Sequence, residues 1–425
     1  MRGQRGRLGA MRGASTALIL GLSACAAHGD DAEASGIEET GVHAVRPGID
    51  VLLDDSLHLV RGRRVGLITN QTGTDAAGVS SIDRLASHPE VELVALFSPE
   101  HGIRGAAEAG QPIEDGVDSA TGLPIHSLYG ATLRPTPEML EGIEVLLFDI
   151  QDIGTRYYTY IYTMAYAMEG AAAAGIPFIV LDRPNPIGGD LVQGNVLDAE
   201  FSSFVGLYPI PMRHGMTPAE LARLFRDEFG VGATLHQIPA EGWTRDMLFF
   251  DTGLPWRPPS PNMPNLESAL HYPGTCLFEG TNLSVGRGTD RAFQWIGAPW
   301  LDGSELAQRM TALELPGVAF HAARFTPSSP GDGKFDGVEV GGVRLEVTDP
   351  HVYDPTRTGV ALLIEARSLS GASWSWVEDH FDRLAGTYRL RIGVEEGRSW
   401  TELVAEWQDQ LREFEEIRRE HLLYP

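Results

Sequence analysis

Val145-Leu146-Leu147-Phe148-Asp149-Ile150-Gln151-Asp152-Ile153-Gly154-Thr155-Arg156-Tyr157-Tyr158 decides the reading of the chain. Four apolar residues in a row read as a strand buried on both faces, and the polar run after them is what such a strand delivers at its carboxyl end. The same order recurs on either side. Arg64–Thr69 runs into Asn70-Gln71-Thr72-Gly73, Val91–Phe97 into Ser98-Pro99-Glu100-His101-Gly102-Ile103-Arg104-Gly105, and Ile176–Leu181 into Asp182-Arg183-Pro184-Asn185-Pro186. Helical patterns lie between: Ile82, Leu85 and Ala86 share one face, and the segment from about Arg156 to Ala174 has helical character. Thr217-Pro218-Ala219-Glu220 then supplies an N-cap, a proline at N1 and a capping-box glutamate, with Leu221, Leu224, Phe225 and Phe229 as the apolar side. Strands alternating with helices predict an α/β fold built on a parallel, doubly wound sheet.

Beyond residue 232, where the domain boundary is expected, the pattern is less regular. Trp256-Arg257-Pro258-Pro259-Ser260-Pro261-Asn262-Met263-Pro264-Asn265 can be neither continuous helix nor central strand, because its prolines lack donors and fix φ. It reads as an ordered loop laid over another part of the molecule. Val338–Val340 and Val343–Val347 predict strands, Thr358–Ala366 a helix, and Glu402–Arg419 a terminal amphipathic helix.

The first residues belong to another category. Arg2, Arg5, Arg7 and Arg12 precede the apolar run Ala14–Leu22, which ends in Ser23-Ala24-Cys25. This order of basic, apolar and small residues is an export signal, and the run is too short to span a bilayer permanently. Leu22-Ser23-Ala24-Cys25 resembles the bacterial lipoprotein cleavage box, so residues 1–24 are expected to be a signal peptide and Cys25 a lipidated first residue. An acyl chain contributes roughly 0.8 kcal/mol per buried CH₂, which is why stable anchoring takes more than one. Ala26 is not the aspartate that retains lipoproteins at an inner membrane, so a two-membraned host implies the outer membrane, facing the periplasm. Residues 25–47 read as a flexible tether.

Losing the leader removes four arginines and takes the formal charge from −25 to about −29. Such a surface repels nucleic acid and acidic polymers at long range, so an anionic ligand needs a local group of arginines. The second of the two cysteines, Cys276, sits in the apolar context Pro-Gly-Thr-Cys-Leu-Phe and reads as a buried filler.

In a parallel sheet, ligands gather outside the carboxyl ends of the strands, where the polar runs converge. Glu100 is the leading candidate for catalysis. A strand delivers it to that crevice, Gly102 and Gly105 allow close approach, and partial desolvation by Phe97 suits a carboxyl that delivers a proton. The competing readings are a ligand-binding carboxylate and a salt bridge to Arg104 or Arg156. Asp149 and Asp152 offer a second acidic function or a helix cap. His101 can pair with an acid or bind substrate, and Arg104, Arg156 and Arg183 can offer bidentate donors to a carboxylate. Glu279-Gly280-Thr281-Asn282 and Gly286-Arg287-Gly288-Thr289-Asp290 are glycine-punctuated loops able to cross a pocket. The latter lacks the strand-turn-helix context and the lysine of a nucleotide site, so no nucleotide is expected. Tyr157, Tyr158, Tyr160, Tyr162, Trp256 and Trp295 could stack on a sugar, although most of those at helical spacing, especially the ones after Tyr158, fit a core better. No HExxH or close histidine set predicts a metal, and no cofactor is expected.

These segments together resemble a bacterial family of exo-β-N-acetylmuramidases, once a domain of unknown function. The resemblance rests on Gly66–Gly73, Phe97–Gly105, Phe148–Tyr158, Leu181–Pro186, Arg213-His214-Gly215, Cys276–Asp290 and Phe381–Thr387, and covers roughly Gly48 to Pro425. It departs around Asp336–Val340. It implies a Rossmann-like catalytic domain over 48–232, a smaller mixed α/β domain over 233–425, and an active site in the cleft between them. It further implies release of terminal N-acetylmuramic acid from the non-reducing end of peptidoglycan fragments, with Glu100 as the acid. Asn70, His101, Arg104, Arg156, Tyr158, Arg183, Asn185, Arg213, His214, Glu279, Asn282, Arg287 and Asp290 are then candidates for holding the sugar. The lactyl carboxylate of that sugar gives an arginine cluster a physical reason. The second catalytic group stays open among Asp149, Asp152, Glu279, Asp290 and the substrate's own acetamide. A cell-wall esterase or amidase is the competing enzyme and a glycan-binding lipoprotein the non-catalytic alternative; no Gly-x-Ser-x-Gly elbow supports the usual serine hydrolase.

Overall fold

The structure is a computed structural model that describes residues 44–105, 107 and 110–425. Cys25, the signal peptide and most of the expected tether therefore lie outside the described residues. The tether's last residues do not behave as one. Val45 donates its N–H to Thr252 O, Arg46 bridges to Glu241, and a helix starts at Gly48.

Among the described residues, nine strands precede residue 240: β1 (Arg64–Thr69), β2 (Glu92–Ser98), β3 (Gly116–Val117), β4 (Pro124–Ser127), β5 (Val145–Asp149), β6 (Phe178–Leu181), β7 (Gln193–Val196), β8 (Pro211–Arg213) and β9 (Leu235–Ile238). Seven of them form one sheet in the order β3-β4-β2-β1-β5-β6-β9, parallel except for β3. β7 and β8 make a separate antiparallel pair.

Alternation along each strand sends side chains to two faces, and both are covered. Val65, Leu67, Leu96, Val145, Leu147 and Ile179 pack with Ile49, Leu52, Ile82 and Leu85 from helices Gly48–Asp55 and Ser81–Ala86. Ile68, Phe97, Leu146, Phe148 and Val180 face Ile161, Met164, Leu221 and Phe225 from helices Tyr160–Ala174 and Pro218–Glu228. Each fully buried side chain of this kind contributes roughly 1.5–3 kcal/mol. The capping box reads true: Thr217 Oγ1 accepts from the Glu220 N–H while Glu220 Oε2 accepts from the Thr217 N–H.

The second part holds β10 (Trp295–Ala298), β11 (Val318–Phe325) and β12 (Val340–Val347), antiparallel in the order β10-β12-β11. Helices Leu266–Thr275, Gly303–Thr311 and Pro355–Ser370 pack around it, and its core runs without a break into that of the large sheet's second face. Helices Leu266–Thr275 and Pro355–Ser370 touch backbone to backbone. A Cβ on Gly274 would lie 1.9 Å from Pro355 O, and one on Gly359 would lie 2.7 Å from Gly274 Cα.

Several boundaries depart from expectation. The helix expected from Arg156 starts at Tyr160, because the Arg156 N–H bonds Met212 O and Thr155 bridges Arg213, tying this run to β8. The two strands expected at 338–347 are one. The terminal helix is two, Trp400–Ala405 and Gln408–Arg419, parted at buried Trp407. β9 lies beyond residue 232 yet pairs with β6, so the large sheet runs past the expected boundary.

Candidate active site

Register decides what meets at the sheet edge. Thr69 lies opposite Asp149, and Ile68 opposite Phe97, so β1, β2 and β5 end level and release Asn70, Pro99-Glu100 and Ile150-Gln151 on one side. Beside them opens a cavity of about 320 Å³, whose wall includes Glu100, His101, Tyr157, Tyr158, Thr159 and Tyr160 from the first part. Ser260, Asn262, Met263, Tyr272, Glu279, Arg287, Asp332 and His380 complete it from the second part.

Glu100 is 8% exposed and held at both oxygens: Oε1 accepts from the Gly110 N–H at 2.9 Å and Oε2 from Thr159 Oγ1 at 2.7 Å. The next residue, His101, has φ +69°, a left-handed conformation that a residue with a Cβ adopts at a cost. Its Nδ1 lies 2.7 Å from Ala107 O. That contact and the Gly102 N–H to Pro99 O bond hold the turn beside Glu100 in this conformation. Half-buried Tyr129, after β4, has its hydroxyl pKa raised first by burial and then by the charge of Glu100.

The tyrosines form one aromatic wall. Tyr158 meets Tyr160 edge-on at 5.0 Å and Tyr272 at 5.9 Å, and Tyr272 meets Phe293 at 4.6 Å. The Tyr160 hydroxyl donates to Pro259 O at 2.6 Å and Gln71 Nε2 to Pro258 O at 2.8 Å, which pins the proline-rich loop over the cavity. The Tyr158 hydroxyl is buried with no partner among the described residues.

On the far wall, the turn Cys276–Gly280 supplies Glu279. Arg287 Nε donates to Glu279 Oε1 at 2.5 Å, and Lys334 Nζ donates to the carbonyls of Phe278, Glu279 and Leu283. Burial pushes the Glu279 carboxyl pKa up, but Arg287, then Lys334 and His380, more than offset that and hold it below the ordinary value. Burial, chiefly, lowers His380, so its imidazole is neutral near pH 7; its Nδ1 is taken by Arg383.

The arginine cluster expected from Arg104, Arg156 and Arg183 does not assemble. Arg104 is exposed and pairs with Asp118 at 2.5 Å. Arg156 is fully buried, its Nη atoms donating to the carbonyls of Asn195, Ile210, Leu384 and Ala385. Arg183 pairs with Asp149 at 2.6 Å, and Asp149 also accepts from Ser81. Arg213 is spent on Gln193 and Ile187 O.

Asp152 caps the Gly154 turn and lies 3.7 Å from His214, both buried. Asn70 bonds Thr72, Asn185 bonds Ile187 N and Met216 O, and Asn282 bonds Ser373 O and Ser375 N. Asp290 is exposed. None of these lines the cavity, nor do Tyr162, Trp256 or Trp295. Polar runs at strand ends brace the crevice as often as they face it, since buried polar groups must find partners. Of the candidates, Glu100, His101, Tyr158, Glu279 and Arg287 do meet there. Thr159, Tyr272, Asp332 and His380 are additions: Thr159 directly follows Tyr158, whereas Tyr272 and His380 come from helices and Asp332 from a turn, each without a local signal. Cys276 is buried with its pKa raised, chiefly by burial, as a filler would be. Among the described residues no group of three His, Cys, Asp or Glu side chains could hold a metal ion.

The chain is thus a two-domain α/β protein, a doubly wound sheet and a smaller antiparallel sheet with carboxylates and tyrosines on the wall of one cavity. Residues 65–267 match the family described as exo-β-N-acetylmuramidase NamZ, N-terminal, and residues 270–424 its C-terminal counterpart. The chain belongs to that family. It is 47% identical over 381 residues to the peptidoglycan β-N-acetylmuramidase NamZ of Bacillus subtilis (strain 168), covering 89% of this chain and 91% of that protein. Two crystal structures of DUF1343 family proteins from Bacteroides fragilis NCTC 9343 superpose on it. One has a TM-score of 0.83 at 36% identity, covering 90% of this chain and 99% of the other. The second has 0.73 at 32%, covering 89% and 99%.

Proposed function

We propose that Glu100 is the general acid with which this exo-β-N-acetylmuramidase releases terminal N-acetylmuramic acid from peptidoglycan fragments, and that the cavity shared by the two parts is its active site. The activity is that of the family, carried at 47% identity along nine-tenths of the chain. The observation that supports Glu100 is its position: a carboxyl group on the cavity wall, beside a left-handed histidine and held at its two oxygens by the Gly110 N–H and the Thr159 hydroxyl.

A glycosidase protonates the leaving oxygen with one group and needs a second that attacks carbon or activates water. Asp149 and Asp152 are engaged away from the cavity. Glu279 is committed to Arg287, which leaves Asp332 and the substrate's acetamide for the second function. Exolytic action is the reading that fits Ser260, Asn262 and Met263, which bring the pinned proline-rich loop to the cavity wall. The experiment is hydrolysis of a chromogenic N-acetylmuramide beside its N-acetylglucosaminide counterpart by the purified protein. Turnover of the muramide supports the reading, and turnover of neither would defeat it.

The substrate class places the enzyme at the cell envelope. There a lipid on Cys25 is the proposed anchor, on an outer membrane facing the periplasm if the host has two. Among the described residues no helix is long and apolar enough to cross a membrane. Labelled fatty acid should enter the wild type and not Cys25→Ser; equal labelling of both would refute the anchor.

A further inference from the structure

We propose that Arg287 reads the lactyl carboxylate of N-acetylmuramic acid and so sets the preference of the cavity for that sugar. This rests on the muramidase reading above and identifies the group that makes it selective.

A protein this acidic repels an anion at a distance and must compensate at contact. Arg104, Arg156, Arg183 and Arg213 are spent elsewhere, whereas Arg287 lies on the cavity wall. Only its Nε is engaged, with Glu279 Oε1. Nη1 and Nη2 have no hydrogen-bond partner among the described residues, and neither is sealed from solvent. That leaves the planar fork that matches a carboxylate.

The fork is also held still. Its carbon lies 5.3 Å from the Phe293 ring centre, and Phe293 itself keeps a left-handed backbone at φ +67°. Glu279 fixes the Nε edge from a turn whose carbonyls occupy Lys334, so Lys334 has little left to offer a ligand. His380 is neutral near pH 7 and already bonded to Arg383. Arg287 and Lys334 balance Glu279 and Asp332, so an incoming carboxylate meets no net negative charge from this group.

The test uses the full protein with p-nitrophenyl β-N-acetylmuramide and the same compound with its lactyl carboxylate converted to the neutral amide. Wild type should prefer the carboxylate. Arg287→Gln should lower kcat/KM on the carboxylate about 10- to 100-fold more than on the amide, mainly through KM, erasing the preference whatever loss the two compounds share from the unpaired Glu279. Arg287→Lys keeps the charge without the fork and should retain only part of it, which also serves if Arg287→Gln fails to fold. Equal losses on both compounds would mean a structural role and overturn the proposal, as would a wild type indifferent to the carboxylate. A wild type that cleaves neither would instead defeat the muramidase reading.

Discussion

Glu100 and its neighbours show what a single residue's place in the chain can and cannot reveal. Its position was legible because a largely apolar strand ends two residues earlier, and strand ends of a parallel sheet face the crevice. Its partners were less so: Gly110 comes back from the following loop, and Thr159 from the far side of β5. A hydrogen bond to a charged group is worth about 1.5–3 kcal/mol. Thr159→Val should therefore slow turnover roughly 10- to 100-fold with little change in KM, as steady-state kinetics on a chromogenic muramide would measure; unchanged kcat would mean that the contact is idle. The arginines were the harder case. Arg156 looked like a substrate fork from its neighbours in sequence, but its four acceptors lie 39 to 229 residues away. No local pattern carries that information.

At the level of elements, legibility followed burial. β1, β2, β5 and β6 are continuous apolar runs, and the Thr217 capping box announces its helix. β4 and β9 are short and half-polar, and β10 with its Trp-Ile-Gly-Ala reads as nothing in particular. The helix Leu266–Thr275 was hidden by Pro273, which a helix interior disfavours. That helix places Tyr272 on the cavity wall, and its contact with Pro355–Ser370 leaves no room for a side chain at Gly274. Gly274→Val should cost roughly 1–3 kcal/mol or more by overpacking. Urea denaturation would show this as a lower midpoint, and activity should fall with it as Tyr272 shifts. A midpoint equal to wild type would mean that the helices are not so closely joined.

Across the whole molecule, one hydrophobic core joins the second face of the large sheet to the small one, and the chain's end returns to seal the first part. The Tyr424 hydroxyl donates to Asp182 at 2.5 Å, and the Leu423 N–H donates to Glu220. Buried charge within that body makes stability depend on pH. Burial raises Asp152 to about 7, against an unfolded value of about 4. The folded state thus binds the extra proton between those values. The contribution is present in full below pH 4 and is lost as pH rises through 7, by roughly 4 kcal/mol at most. His214, lowered to about 3 chiefly by burial, acts in the opposite sense and loses its contribution as pH falls from about 6.5 through 3. Asp152→Asn should therefore cancel one part of the profile: denaturation at pH 4.5 and 7.5 should show wild type losing ground to the variant as pH rises. A constant difference would contradict a protonated Asp152. The claim on which the function turns is proton delivery by Glu100, and leaving-group dependence tests it most directly. Glu100→Gln should lose at least about 100-fold on the disaccharide N-acetylmuramyl-N-acetylglucosamine, whose departing oxygen needs a proton, and far less on a dinitrophenyl muramide, whose phenolate does not. Losses of equal size on the two substrates, or none on the disaccharide, would contradict it.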